Sequence, residues 1–177
     1  KLENKIMRLK SSGIQYVEFS TNGSLMSKQR AVDIITSGVD QVTFSMDGMI
    51  KETFEQIRVG IKYHQVLENI EGFVRIRNEK KARTIVRIRM TTQQKNECEQ
   101  NEFIATWRKK LGPGDSVYAK VLHTWANAEQ MQELPGQYDY ETLNASPCNS
   151  LWTSLLVFSD GTVPLCCCDY NASCSIG

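Results

Sequence analysis

QVTFSMDGMIKETFEQIR, from Gln41 to Arg58, is the stretch on which the fold turns. Its first residues are apolar and β-branched or aromatic and end in a polar tip, Ser45-Met46-Asp47-Gly48. Phe54 and Ile57 then recur at helical spacing, so a helix follows almost at once. Parallel α/β sheets and barrels present their ligand-binding groups in this way, at the carboxyl ends of the strands. The same pattern occurs upstream, where Tyr16-Val17-Glu18-Phe19-Ser20 runs into Thr21-Asn22-Gly23.

Working outward, Leu2, Ile6 and Leu9 make an opening helix that has no capping residue, so the chain reads as starting inside a helix with sequence missing before it. Ile14 to Ser20 is expected as a strand, and Ser27 can cap a helix that carries Ala31, Val32 and Ile35 inward and stops at Gly38. A helix or broken pair of helices is expected from about Lys51 to Asn78, with Gly60 as the break. Thr84 to Met90 alternates, with Val86, Ile88 and Met90 on one face and Arg87 and Arg89 on the other. Glu97 to Leu111 is a helix ended by Gly112-Pro113-Gly114-Asp115, and Ser116 to Leu122 is a fourth strand. Strands alternating with helices make parallel neighbours joined by crossovers. Four strands are too few to close an eight-stranded barrel, which takes about 250 residues, so a partial barrel or an open sheet is expected. Residues 123–147 hold no period and read as a linker. Leu151 to Phe158 and Val163 to Cys166, joined by Ser159-Asp160-Gly161-Thr162, read as a β-hairpin because Asp-Gly suits a tight turn.

The bulk numbers narrow the function classes. At 177 residues, 41% hydrophobic and 23% charged, the chain has the composition of a globular protein with one core or one and a small appendage. No apolar run is long enough to span a bilayer, so no membrane partner is expected. A net charge of +1 makes no field that would recruit nucleic acid. The basic run of Arg75, Arg77, Lys80, Lys81, Arg83, Arg87 and Arg89 straddles a helix end, a loop and a strand face, which is a poor nucleic-acid stripe.

Cysteine use is uneven, with one at 98 and five at 148, 166, 167, 168 and 174. A disulfide framework would spread its cysteines through the chain, and adjacent cysteines pair poorly, so metal or cluster binding is the first reading. A hairpin can bring Cys148, which leads into one arm, and Cys166, which ends the other, to one end. Two thiolates do not complete a four-thiolate shell. Packed thiols or a zinc site are the alternatives on these residues.

Cys148-x12-Gly161-x4-Cys166, with Trp152 between and Asp169 after, resembles the opening of the auxiliary cluster-binding extension, the SPASM or twitch domain, of radical S-adenosylmethionine enzymes. Thr21-Asn22-Gly23, Ser45-x-Asp47-Gly48 and Thr53-Phe54-Glu55-x-Ile57-Arg58 resemble that family's run from its third strand through its fourth strand and the helix after it. Phe73, Glu97, Glu102-Phe103 and Trp107 sit where the family places similar residues.

The resemblance implies an α/β fold, an incomplete parallel β/α barrel of the radical S-adenosylmethionine type over residues 1–122, followed by a linker and then a small cysteine-rich β-hairpin that starts the auxiliary domain over residues 148–177. It implies that Ser45 and Arg58 contact S-adenosylmethionine, the first through its hydroxyl and the second through a fork to the carboxylate. Thr21 and Asn22 would line the same mouth and Leu122 would pack on the adenine. Bland readings of the first two are turn chemistry for Ser45 and an ion pair with Glu55 for Arg58, while Asp47 is expected to tie down its own turn. Cys148 and Cys166 would bind an auxiliary 4Fe-4S cluster, with Cys167, Cys168 and Cys174 outside the site. The catalytic 4Fe-4S cluster belongs to a CxxxCxxC loop expected before Lys1, so the chain by itself is expected to be inactive. The full-length enzyme would cleave S-adenosylmethionine reductively to a 5′-deoxyadenosyl radical that abstracts hydrogen from a peptide, a protein or a small alcohol-type substrate. It would be cytoplasmic and would take electrons from a donor such as flavodoxin or ferredoxin. Another class stays open: a zinc- or metal-stabilised α/β interaction module without radical chemistry.

Overall fold

Apolar side chains on alternate strand residues and on one stripe of each helix meet in a single layer, and that layer builds the first of two compact units, Lys1–Lys120 and Val121–Gly177. The computed structural model describes residues 1–122 and 148–177. In chain order the first unit runs through α1 (Leu2–Ser11), β1 (Glu18–Thr21), α2 (Lys28–Thr36), β2 (Gln41–Ser45), α3 (Lys51–Ile57), α4 (Tyr63–Glu79), β3 (Ile85–Thr92), a 3-10 turn (Glu97–Glu99), α5 (Gln100–Lys110) and β4 (Ser116–Val121). The four strands lie side by side in the order β1-β2-β3-β4. β1 pairs parallel with β2, placing Thr21 beside Phe44, and β2 pairs parallel with β3, placing Ser45 beside Arg89. The fold is therefore α/β with a four-stranded parallel sheet, as the alternation of strands and helices requires.

The sheet has two unlike faces. Val42, Phe44, Val86 and Ile88 are fully buried with Ala31, Ile34, Val66, Ile70 and Phe73 of the helices. Phe44 meets Phe73 edge-on at 5.3 Å between ring centroids, and burying a side chain of this size contributes about 1.5–3 kcal/mol. The other face carries Glu18 and Ser20 of β1, Gln41, Thr43 and Ser45 of β2, and Arg87 and Arg89 of β3. None of these side chains belongs to the apolar core.

Local chemistry sets the boundaries. Ser27 caps α2 by accepting from the backbone N–H of Arg30, and the expected break at Gly60 is present, with φ +81 between α3 and α4. The first strand begins later than expected, at Glu18 instead of Ile14. Ile14 and Tyr16 are exposed, and the backbone there goes to other partners, with Ile14 N–H donating to Leu9 C=O.

Arg77 takes no part in an exposed basic stripe. It is 7% exposed, its Nη1 and Nη2 donate to Asp115 Oδ1 and Oδ2 at 2.8 and 2.6 Å, and Nη1 also donates to Thr84 C=O at 2.7 Å. Asp115 in turn accepts from Val86 N–H and Gly112 N–H. The loop that merely ended a helix in the sequence thus clips α4 to the entry of β3.

In the second unit the expected strand from Leu151 to Phe158 is not formed. Ser150–Thr153 makes a short helical turn, α6, and residues 154–158 have no regular structure. The Asp160-Gly161 turn is present, with Phe158 N–H donating to Thr162 C=O. The antiparallel partner of the arm after it is the end of the chain: Val163 pairs with residues 176 and 177, Leu165 N–H donates to Cys174 C=O, and Pro164 bridges Ser175. The small cysteine-rich hairpin is therefore shifted by one arm. Its loop holds Cys166, Cys167 and Cys168, and Cys174 starts its return arm. The linker expected over residues 123–147 falls outside the described residues. No helix among the described residues is long and apolar enough to cross a membrane.

Candidate functional site at the strand tips

The parallel pairing of β1 with β2 puts the Thr21-Asn22-Gly23 turn and the Ser45-Met46-Asp47-Gly48 tip at the same edge of the sheet. Ser45 is 5% exposed, and its Oγ accepts from Arg89 Nη2 at 2.9 Å. With a lone pair so engaged, the Ser45 hydroxyl donates to no acceptor among the described residues. Arg89 Nε is buried and has no hydrogen-bond partner among the described residues.

Asp47, 2% exposed, does not tie down its own turn as expected. Its Oδ1 accepts from Thr91 N–H at 2.6 Å, and its Oδ2 takes Arg58 Nε at 2.6 Å and Arg58 Nη2 at 2.5 Å. The ion pair expected between Arg58 and Glu55 is not the one formed: Glu55 accepts from Tyr63 N–H and pairs with Lys62. Asp47 thus holds the Nε–Nη2 edge of the Arg58 fork, and the guanidinium, 32% exposed, has no partner at Nη1 among the described residues.

Two residues that carried no expectation complete the tip. Asn96, fully buried, donates from Nδ2 to the carbonyls of Asp47 and Thr91 and accepts from Gln93 N–H. Glu99, 4% exposed, accepts from Met49 N–H at 2.6 Å and from Ile50 N–H at 3.1 Å. Together they fix the β2-to-α3 loop. Gly48 belongs to the same device, since a Cβ there would lie 3.0 Å from the backbone nitrogen of Phe54. The available signal was slight: an asparagine and a run of acids ahead of a helix, which reads first as capping.

Thr21 and Asn22 stand at the shared edge but spend their side chains locally. Thr21 Oγ1 accepts from Gly23 N–H, and Asn22 Oδ1 accepts from both the N–H and the hydroxyl of Ser24. Leu122 follows β4 directly and lies in the second unit.

In that second unit Cys148 is exposed and precedes α6, and its thiol is held below its ordinary pKa by the backbone N–H and then the hydroxyl of Ser150. Cys166 Sγ accepts from Cys168 N–H at 3.4 Å. The Cys168 thiol is pushed up, first by burial and then by its cysteine neighbours Cys167 and Cys166. Among the described residues, no group of three or more histidine, cysteine, aspartate or glutamate side chains is gathered for a metal ion.

No protein-family model matches the chain. A 37-residue stretch is 49% identical to the GTP 3′,8-cyclase of Parasynechococcus marenigrum (strain WH8102), covering 21% of this chain and 11% of that relative's length. The crystal structure of a domain of pyruvate-formate lyase-activating enzyme from Bacteroides vulgatus ATCC 8482 superposes with a TM-score of 0.53 over 81% of each chain, at 15% identity. The shared feature is the fold. This chain and that domain have a common α/β architecture.

Proposed function

We propose that the chain is part of a radical S-adenosylmethionine enzyme and that the β2 tip binds the cofactor. The observation that carries the reading is the pairing of a spare donor edge on Arg58 with a spare proton on Ser45, both held by buried partners at one end of a parallel sheet. The short match to a GTP 3′,8-cyclase and the fold likeness to a pyruvate-formate lyase-activating enzyme support it.

The residues present fit the amino-acid and ribose ends of that cofactor. Arg58 Nη1, aimed by Asp47, would take the carboxylate, and Ser45, with its acceptor side occupied by Arg89, would donate to a ligand oxygen. Thr21 and Asn22 would line the same mouth with the donors that their local bonds leave over, the Thr21 hydroxyl proton and Asn22 Nδ2. When bound to a 4Fe-4S cluster, the cofactor supplies one-electron cleavage and hydrogen abstraction. The residues of this chain supply orientation. Cys148 and Cys166 would give thiolates to an auxiliary 4Fe-4S cluster, and the exposed, more acidic Cys148 thiol suits metal ligation. The described residues do not gather a full ligand shell, so no step is routed through that centre. The likeness to an activating enzyme favours a protein or peptide substrate over a small alcohol, with an electron donor such as flavodoxin or ferredoxin.

The test is anaerobic reconstitution of the full-length protein with iron and sulfide, followed by assay of 5′-deoxyadenosine from S-adenosylmethionine under reductant. Product formation that falls in Arg58→Ala and Ser45→Ala is the expected result. Wild-type rates in both variants would remove the β2 tip from the site, and zinc without iron after anaerobic purification would favour a metal-stabilised interaction module.

A further inference from the structure

The polar face of the sheet carries more cation than the proposed cofactor contacts use. Arg87 lies beside Thr43, and Arg89 beside Ser45, on neighbouring strands and on one face. Val117 and Ala119 of β4 pack against the core, so strand alternation turns Lys120 to the polar face as well. Arg87 and Lys120 are exposed, and among the described residues neither meets a carboxylate. Glu18, the one carboxylate on this face of the strands, lies at the opposite end of β1, where it accepts from Gln41 Nε2.

Arg89 is the telling residue. Among the described residues its guanidinium has one hydrogen-bond partner, the neutral Ser45 hydroxyl, and its Nε is buried without one. Buried donors of a charged group are normally satisfied, and one that is not calls for an explanation. Its positive charge meets no carboxylate among the described residues, and an anion arriving over the exposed Arg87 and Lys120 would supply that compensation.

We infer that Arg89 and Arg87, with Lys120 on the same face of the neighbouring strand, receive an anionic group of the substrate, a phosphate or a carboxylate, on the polar face of the sheet. The inference deepens the proposed function, because it takes this face to be the substrate side of the cofactor. An anionic substrate would enter with its charge over β3 and β4 and its reacting carbon toward the β2 tip.

The test needs neither cluster nor cofactor, so its failure is separate from failure of the cleavage assay. The Arg89 Nε–H resonance of the 177-residue chain is followed by NMR during titration with inorganic pyrophosphate and, separately, succinate. A saturable shift with one of the two is expected, and which one names the anion. Arg87→Gln and Arg89→Gln should each weaken that binding by about tenfold or more, while Arg83→Gln, an exposed cation off this face, should change it by less than about twofold. Should Arg89→Gln fail to fold, Arg87→Gln, at an exposed position, carries the result. Absence of saturation with both anions, or equal weakening in Arg83→Gln, would overturn the site. An Arg89 Nε–H shift produced by S-adenosylmethionine would also overturn the assignment, since the arginine would then serve the cofactor.

Discussion

Arg58 reaches back from the end of α3 to close on Asp47, placing both Nε and Nη2 on Oδ2 at 2.6 and 2.5 Å. The contact joins the end of a helix to the tip of the strand before it. The other oxygen of the same carboxylate holds Thr91 of the next strand. Asp47 is nearly inaccessible and Arg58 a third exposed, so removing the base strands a buried carboxylate without its counter-charge, while removing the acid leaves a cation that water can reach. Arg58→Ala should lower unfolding free energy by about 3–5 kcal/mol, and Asp47→Ala, which also loses the bond from Thr91, by about 1–3 kcal/mol, read from urea denaturation of the two variants. A smaller loss in Arg58→Ala than in Asp47→Ala would mean that water reaches the Asp47 carboxylate once Arg58 is gone.

The Arg77–Asp115 pair gives the chain an acid-sensitive clip. Burial works to raise the Asp115 pKa, but hydrogen bonds from Arg77, Val86 and Gly112 and the charge of Arg77 outweigh it, leaving the carboxyl below its ordinary range. A folded-state pKa below the unfolded one contributes stability that is present above the unfolded pKa, near 3.9, and is lost as pH falls through the folded value. Thermal unfolding followed downward from about pH 5 should therefore show an acid limb that Asp115→Asn flattens. At neutral pH the same variant should be less stable by about 3–5 kcal/mol, the cost of breaking a buried pair. An unchanged acid limb would show that Asp115 does not titrate in this range.

Glu99 should act on the loop more than on the core. Its carboxylate is the acceptor for Met49 and Ile50 N–H, and Glu99→Gln replaces a charged acceptor with a neutral one. A loss of about 1 kcal/mol is expected, together with faster amide hydrogen exchange at Met49 and Ile50 and unchanged exchange in β2. Uniform acceleration across β2 would show that the loop and strand open together.

What could be read from the sequence follows from how far each signal travels along the chain. Phe54, Ile57, Val86 and Ile88 announced their elements because helix and strand periods are local, and Ser27 and Gly60 marked boundaries by local backbone chemistry. Ser45 and Arg58 could be singled out from the sequence, yet Asp47 read as tying down its own turn and the partners of all three were not legible. Asp47 meets Thr91 across 44 positions and Glu99 meets Met49 across 50, and no local pattern encodes such a pairing. The hairpin failed for a related reason. Asp160-Gly161 correctly signalled a turn, but a turn does not decide which segment pairs with the arm after it, and residues 174–177 do so.

The cysteines should differ in reactivity in an order that burial and hydrogen bonding dictate. Thiolate is the reactive form, and a thiol with a depressed pKa presents more of it at a given pH. Cys148 is exposed and receives hydrogen bonds from the N–H and hydroxyl of Ser150, which favour its thiolate. Cys168 is partly buried beside Cys167 and Cys166, and both burial and neighbouring negative charge disfavour ionisation there. Iodoacetamide added to the reduced chain at neutral pH should therefore alkylate Cys148 ahead of Cys168, as read by peptide mass spectrometry over time. Raising the pH should narrow the gap, because Cys148 approaches full ionisation first. Ser150→Ala removes the hydroxyl and keeps the N–H, so it should slow Cys148 and leave Cys168 unchanged. If Cys168 reacts first, the arrangement of the hairpin loop around it is not the one described.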